Sequence, residues 1–407
     1  MCGFELLLRL KEGKTVLIVD NLLGLDCSKE ELKNNIDDQM EKRLNLLQHR
    51  GPDYTSDLTE SSHSHYAAYF ISTVLQIQGE ILVPQPFISS DGSILVWNGE
   101  LLNHIDFEET DIKQGDTQLV AKLLHCSPPY NALNNAQGPF SFIYLDIEKN
   151  LLWFGKDKFG RRSLLLSSMG PSKIILSSVG LSGIEVPAGT GIYSVDLLSG
   201  FLTFHPWEST AAHLSPHFLL NKPINPIDSL YNPIGELYAV MLSSMRRHFE
   251  SVKVTAPLGI LFSGGVDSVI ITCIATEALL SCSQPVRDTF PCIHLITVSA
   301  NSNSGEANTT DHIKPAARSS PDRGTAVVSF LEIRERFRGR VHESFFSLIC
   351  VDISPTDITA NEAHIMSLSC PNNSHMDFNI SCALWFGGNA RQIESYNASN
   401  TILTIIE

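Results

Sequence analysis

The sequence predicts two domains of different class: an α+β sandwich of antiparallel sheets covered by helices, then an α/β domain. Three observations predict this. Between residues 4 and 206 short β-type runs recur between turn residues, and only two helical patterns interrupt them. Near residue 260 an apolar run meets a glycine-rich hexapeptide and then a helical pattern, the strand–turn–helix order of an α/β unit. Between them, His213–Pro233 collects prolines and asparagines and reads as a linker. The expected division is a first domain over 2–206, a linker over 207–234 and a second domain over 235–407. A chain of 407 residues is long enough to give each a core.

In chain order, FELLLRL and TVLIVD read as a strand pair around the turn Lys11-Glu12-Gly13-Lys14. Ser28 and Glu31 form a capping box, and the helix it opens aligns Leu32, Ile36, Met40, Leu44 and Leu47 on one face. That helix should stop at Gln48-His49, because Arg50-Gly51-Pro52-Asp53 cannot continue it. Strands follow at Tyr66–Gln78, Ser93–Asn98, Pro139–Leu145, Leu151–Gly155, Ile174–Ser178 and Gly191–Asp196, with a helix from Asp116 to about His125. In the second domain a helix over Gly235–His248 precedes the strand Leu258–Phe262 and the helix Val269–Leu280. Asn301–Arg323, rich in Ser, Asn, Thr and Gly, reads as flexible or disordered, and Phe345–Ile353 and Ile402–Ile406 as further strands.

Composition narrows the function classes. A formal net charge of −15 argues against nucleic acid or an anionic membrane as main partner. Nine cysteines without a CxxC pair suggest reduced thiols, not a disulfide framework or zinc site. The histidines at 63, 65, 125 and 312 lack ligand spacing. The start MCGFELLLRLKEGK is not a secretory signal, and no run approaches the ~18 apolar residues of a membrane span. The expectation is a soluble cytoplasmic protein.

Several residues carry candidate chemistry. Removal of Met1 would leave Cys2 with a thiol and a free α-amine, and an N-terminal amine can replace histidine as the base that activates a nucleophile. Arg50 is either part of a turn or a fork for a substrate carboxylate. Asn98-Gly99 is either a strand ending in a turn or a pair of oxyanion donors. Asp116 is either a helix N-cap or an acceptor for an α-ammonium group.

Taken together, Cys2-Gly3, Arg50-Gly51-Pro52-Asp53, Asn98-Gly99-Glu100 and Gly115-Asp116-Thr117-Gln118 resemble, in that order, the class II glutamine amidotransferases. The stretch Trp153–Arg162 is similar to that family's structural Arg-Asp-x-x-Gly-x-Arg turn, whereas Phe4, Gln118 and the loop Leu75–Gly79 depart from its pattern. The resemblance implies an N-terminal-nucleophile (Ntn-hydrolase-like) αββα sandwich. It assigns Cys2 as nucleophile, Asn98 and Gly99 as oxyanion donors, and Arg50 and Asp116 as holders of the glutamine ends.

Ser263-Gly264-Gly265-Val266-Asp267-Ser268 lacks the Gly-Lys-Ser/Thr of a Walker loop but can offer backbone N–H groups to an anion at a helix N-terminus. It resembles the pyrophosphate loop of the ATP-pyrophosphatases, and its place after an amidotransferase domain resembles the glutamine-dependent asparagine synthetase family. What the resemblance implies is ATP and Mg²⁺ as cofactors, Asp267 as a magnesium ligand, and ammonia from glutamine spent on amidating aspartate. Beyond residue 300 the likeness reduces to Pro321-Asp322-Arg323 and Cys382–Phe386. The family's Gly-x-Gly-Ala-Asp-Glu-like segment has no counterpart after Thr401–Thr404, which implies a truncated second domain. The rival readings are a non-catalytic relative and a synthetase of another amide.

Overall fold

The computed structural model describes residues 2–11, 36–60, 62–102, 115–168, 172–180, 183–189, 191–207, 232–252, 255–300, 321–372, 374–389 and 404–405. Two compact units divide the chain, Met1–Ser229 and Leu230–Glu407.

The first unit runs β1 (Gly3–Leu10), α1 (Ile36–Arg50), β2 (Tyr54–Glu60), β3 (Tyr66–Val74), β4 (Phe87–Ile88), β5 (Ile94–Gly99), α2 (Asp116–Cys126), α3 (Pro129–Ala132), β6 (Phe140–Asp146) and β7 (Leu151–Lys156). It continues through β8 (Leu165–Ser168), β9 (Lys173–Ser177), β10 (Ile184–Glu185), β11 (Gly191–Asp196) and β12 (Leu202–Pro206). One antiparallel sheet has the order β10-β8-β9-β1-β3-β2 and the other β12-β11-β7-β6-β5-β4.

Two-residue alternation explains the layering. Phe4, Leu6, Leu8 and Leu10 of β1 point into a core shared with Ile94 and Val96 of β5 and Ile143 and Leu145 of β6. Each such fully buried side chain contributes roughly 1.5–3 kcal/mol. The opposite faces meet helices. Leu95, Trp97, Phe140, Phe142 and Tyr144 pack on Leu119, Val120, Leu123 and Leu124 of α2. On the other side Glu5 of β1 turns outward to Arg43 of α1, whose Nε lies 3.1 Å from Oε1. Burial pushes the Glu5 carboxyl up and the Arg43 charge opposes it. The expected sandwich, helix–sheet–sheet–helix, is present among the described residues.

The two edges of β1 pair with β3 and β9; residues 15–20, expected to form a hairpin with it, lie outside the described residues, as does the Ser28 capping box. Alternation identifies a strand but not its partner. β2 escaped the sequence reading because YTSDLTE is a polar, largely exposed strand at the sheet edge. The run Tyr66–Gln78 ends as a strand at Val74, and its last four residues form a loop.

The second unit holds α4 (Pro233–Ser251), β13 (Leu258–Leu261), α5 (Val266–Ser281), α6 (Gln284–Thr289), β14 (Ile293–Ala300), α7 (Pro321–Arg336), β15 (Phe346–Ile353), α8 (Pro355–Ser369), α9 (His375–Gly388) and β16 (Thr404–Ile405). Its sheet has the order β15-β14-β13-β16 with all three pairings parallel. Both crossover directions therefore start from β13, which makes its carboxyl end a topological switch point. Residues 321–323, expected within a flexible stretch, instead begin α7. Arg323 is 4% exposed and donates to the Val351 carbonyl at 3.0 Å and to Asp352 Oδ1 at 2.8 Å.

Gly51 follows α1 where a Cβ would fall 2.4 Å from both the Thr73 carbonyl carbon and the Val74 nitrogen. Backbone cannot yield as a side-chain tip can. Gly51→Ala is expected to lower stability by about 1–3 kcal/mol, read from denaturant unfolding. Gly324→Ala, with nothing within 4 Å of its Cβ position, is the control that should not destabilise.

Candidate active site

One cavity of the first unit is lined by Cys2, the loop 74–78, Gln85, Asn98-Gly99-Glu100, Gly115-Asp116-Thr117 and Arg162. Four of the five expected residues of this unit, Cys2, Asn98, Gly99 and Asp116, meet there.

Cys2 stands at the entry to β1. Gly3 donates its N–H to Thr73 Oγ1 at 3.1 Å, and a Cβ on Gly3 would lie 2.6 Å from that oxygen, so glycine lets the strand start close to β3. The Cys2 Sγ lies 3.8 Å from the Leu75 carbonyl oxygen, to which the thiol donates. Burial pushes the thiol up to about 11, Asp116 adds to the shift and Arg162 opposes it.

Asn98 and Gly99 are the last two residues of β5, not a turn beyond it. Asn98 pairs with Ser141, and the next N–H that faces β6 is that of Glu100, which donates to the Pro139 carbonyl at 2.9 Å. Ladder alternation then turns the Trp97 and Gly99 N–H groups to the opposite side. The Trp97 N–H is met there by Gln85 Oε1 at 2.7 Å. Gly99 follows two residues later on the same side, where it lines the cavity. Its lack of a Cβ is a packing requirement, since one would lie 2.5 Å from the Pro139 oxygen. Asn98 is fully buried, and neither its Nδ2 nor its Oδ1 has a hydrogen-bond partner. Buried amides are nearly always paired by protein or ordered water, so this one is open to a partner from the cavity it lines.

Asp116 is the first residue of α2. Gly115, at φ +89°, is its N-cap, which corrects the N-cap reading of Asp116. Trp97 Nε1 donates to Oδ2 at 2.9 Å and the Thr117 N–H to Oδ1 at 2.7 Å. Burial nevertheless pushes the Asp116 carboxyl up to about 6, against those two hydrogen bonds. Gln85 completes the support, donating from Nε2 to Thr117 Oγ1 at 3.2 Å.

Arg50 does not line the cavity. It ends α1, half-buried, and the chain after it returns to the cavity loop, where Asp53 Oδ2 accepts the Gln76 N–H at 2.8 Å. Sequence reasoning missed Gln78, Gln85 and Arg162. Arg162 donates to Glu100 Oε1 at 3.0 Å, and both line the cavity. The preceding turn is structural, as expected, since Asp157 accepts from the N–H groups of Phe140, Phe159 and Arg161.

In the second unit Ser263–Ser268 leaves the carboxyl end of β13. Gly264, at φ +78°, has α7 against it, with Ala326 Cα 2.5 Å from a would-be Cβ, and its carbonyl accepts from Ser329 Oγ at 2.8 Å. Gly265 is the N-cap of α5, while Ser263, Val266 and Asp267 are exposed and Ser268 is half-exposed. The loop therefore offers an open helix N-terminus at the switch point. Among the described residues no group of three His, Cys, Asp or Glu side chains could hold a metal ion, and Asp267 has no partner carboxylate of that kind. No helix among them is long and apolar enough to cross a membrane.

Residues 23–211 match a family model described as glutamine amidotransferase domain. The chain is similar to asparagine synthetase domain-containing protein 1 of Homo sapiens, 31% identical over 260 residues, which are 59% of this chain and 38% of that protein. To the Mus musculus protein of the same name it is 26% identical over 479 residues, 90% of this chain and 74% of that one. To asparagine synthetase [glutamine-hydrolyzing] 1 of Saccharomyces cerevisiae it is 26% identical over 262 residues, 61% and 42% of the two chains. The match to the human protein thus spans about two fifths of that protein's length.

The Asp116 carboxyl fixes a pH dependence. Its folded value of about 6 exceeds the ordinary aspartate value of about 3.9, so between the two the folded chain binds more protons than the unfolded one. Its contribution to stability is present below about pH 4 and is lost as pH rises through 6. Urea midpoints from pH 4 to 7 should therefore decline less steeply in Asp116→Asn than in the parent chain.

Proposed function

We propose, for a chain that belongs to the asparagine-synthetase-like glutamine amidotransferases, that its N-terminal unit hydrolyses glutamine through Cys2. The observation that carries this is Asn98, fully buried with a partnerless amide in the cavity that Cys2, Gly99 and Asp116 also line.

With Met1 removed, the Cys2 α-amine would have a pKa of about 7.7–8.0 in the absence of perturbation, close enough to neutral to take the thiol proton. The thiolate attacks the side-chain amide carbon of glutamine. The oxyanion that forms accepts from Asn98 Nδ2 and the Gly99 N–H, donors fixed before substrate arrives. The α-ammonium group then protonates the leaving nitrogen, ammonia departs, and water hydrolyses the Cys2 thioester to give glutamate. Asp116, once ionised, accepts from the substrate α-ammonium group. Arg50, at the end of α1, would hold the α-carboxylate.

For the second unit the proposal is coarser. The open N-terminus of α5 and the Ser263–Ser268 backbone fit a pyrophosphate group, in keeping with ATP-dependent use of ammonia on aspartate. ATP supplies the leaving pyrophosphate in such chemistry. Among the described residues no group of three His, Cys, Asp or Glu side chains could hold a metal ion, so a Mg²⁺ would be held by the phosphates of ATP with Asp267 as its protein ligand. A non-catalytic family member is the competing reading, favoured by a Cys2 thiol that burial holds at about 11 while Met1 is in place.

Glutamine turnover by the Met1-processed chain separates the two. Cys2→Ala should abolish ammonia release and leave the unfolding midpoint in place; equal release by the variant would remove Cys2 from the reaction. Asn98→Ala should lower kcat by about 10²–10³ with little change in KM. A change confined to KM would assign Asn98 to ground-state binding instead.

A further inference from the structure

A second carboxamide in the same cavity is unused by the chemistry above. Gln78 is 7% exposed, and neither its Nε2 nor its Oε1 has a hydrogen-bond partner. It lines the cavity together with Cys2, Asn98 and Asp116. An amide buried without partners is destabilising, and an apolar side chain of the same size would hold this loop better. Gln85 in the same wall shows the structural alternative, with its oxygen taken by the Trp97 N–H and its nitrogen by Thr117.

The position of Gln78 narrows what it can meet. Its backbone carbonyl oxygen lies 3.9 Å from where a Cβ on Gly115 would sit, which places it beside the N-cap that presents Asp116. A free carboxamide offers one acceptor and a donor group on neighbouring atoms. The head group of an α-amino acid offers the complement, an ammonium donor beside a carboxylate acceptor. A cationic or anionic side chain at this place would satisfy only one of them.

We infer that the Gln78 carboxamide is a further substrate-recognition group, pairing Oε1 with the α-ammonium and Nε2 with the α-carboxylate of glutamine. The inference rests on the glutaminase reading of the cavity.

The test is alkylation of Cys2 in the full, Met1-processed chain, followed by peptide mass spectrometry. One reagent, 6-diazo-5-oxo-L-norleucine, carries the amino-acid head group; the other, iodoacetamide, does not. In the parent chain the first reagent should saturate and glutamine should protect Cys2 from the second. Gln78→Leu should raise the half-saturating concentration of the head-group reagent tenfold or more, leave the iodoacetamide rate unchanged, and keep or raise the unfolding midpoint. Unchanged half-saturation, or an equal change with both reagents, overturns the role of Gln78 while leaving the glutaminase reading standing. A lowered midpoint in both Gln78→Leu and Gln78→Met marks the amide as structural and likewise overturns it. Absence of saturation and protection in the parent chain overturns the glutaminase reading, and this inference with it.

Discussion

The Thr73 hydroxyl ties together the three segments that carry the site. It is fully buried at the end of β3, donates to the Leu47 carbonyl of α1 at 2.7 Å and accepts the Gly3 N–H at 3.1 Å. Gly51 then lies against the same backbone, and Val74 continues into the loop that walls the cavity. Cys2 is thereby anchored one residue from a strand that both neighbours grip, and the chain following Arg50 is stitched to the same point. A residue so near a chain end would otherwise fray, since end residues have few constraints. Here the terminus enters the middle of a six-stranded sheet, so the first backbone hydrogen bonds of β1 also position the thiol.

The ordering Cys2, Arg50, Asn98 and Asp116 was legible in the sequence because each belongs to a short motif with a distinctive residue type. Three of those four converge on one cavity. Arg50 does not, and spacing could not reveal that, because the outcome depends on where α1 ends against β3. Gln78, Gln85 and Arg162 were illegible for a related reason. A glutamine in a loop between apolar strands looks like solvated loop chemistry, and only its burial and the inventory of its partners distinguish it. The strands were legible where both faces are buried, as in Pro139–Leu145 and Leu151–Gly155. They were lost where one face meets solvent, as in β2, or where a helix-length gap hid the next parallel strand, as in β14.

The shape of the loop Ser263–Ser268 in the second unit depends little on its side chains. Within Ser263–Ser268 the decisive property is Gly264, which must take φ +78° and let α7 approach at 2.5 Å of its missing Cβ. The side-chain hydrogen bonds there are internal: Ser263 Oγ accepts the Gly265 N–H at 3.2 Å, and Ser268 Oγ donates to the Gly265 carbonyl at 2.9 Å. They shape the loop and leave the helix end open. Arg323, from one of the few family-like triplets late in the chain, is bound to β15 and so acts as a tie between α7 and the sheet.

Hydrogen-bond saturation sorts the polar groups of the first cavity more sharply than residue type does. Gln85 and Asp116 are committed on both polar atoms to Trp97 and Thr117, so they hold the end of β5 and the start of α2 in register. Asn98 and Gln78 carry the same carboxamide chemistry, sit in the same wall, and are committed to nothing. An unsatisfied buried amide costs about 1–3 kcal/mol, a large fraction of a typical folding free energy of about 5–15 kcal/mol. Both amides line one cavity, where an entering polar group could reach them. The rigid, saturated pair supplies the frame, and the unsaturated pair supplies the donors and acceptors that a polar substrate would complete. Donors held in place before binding need no reorganisation when charge develops on a bound group.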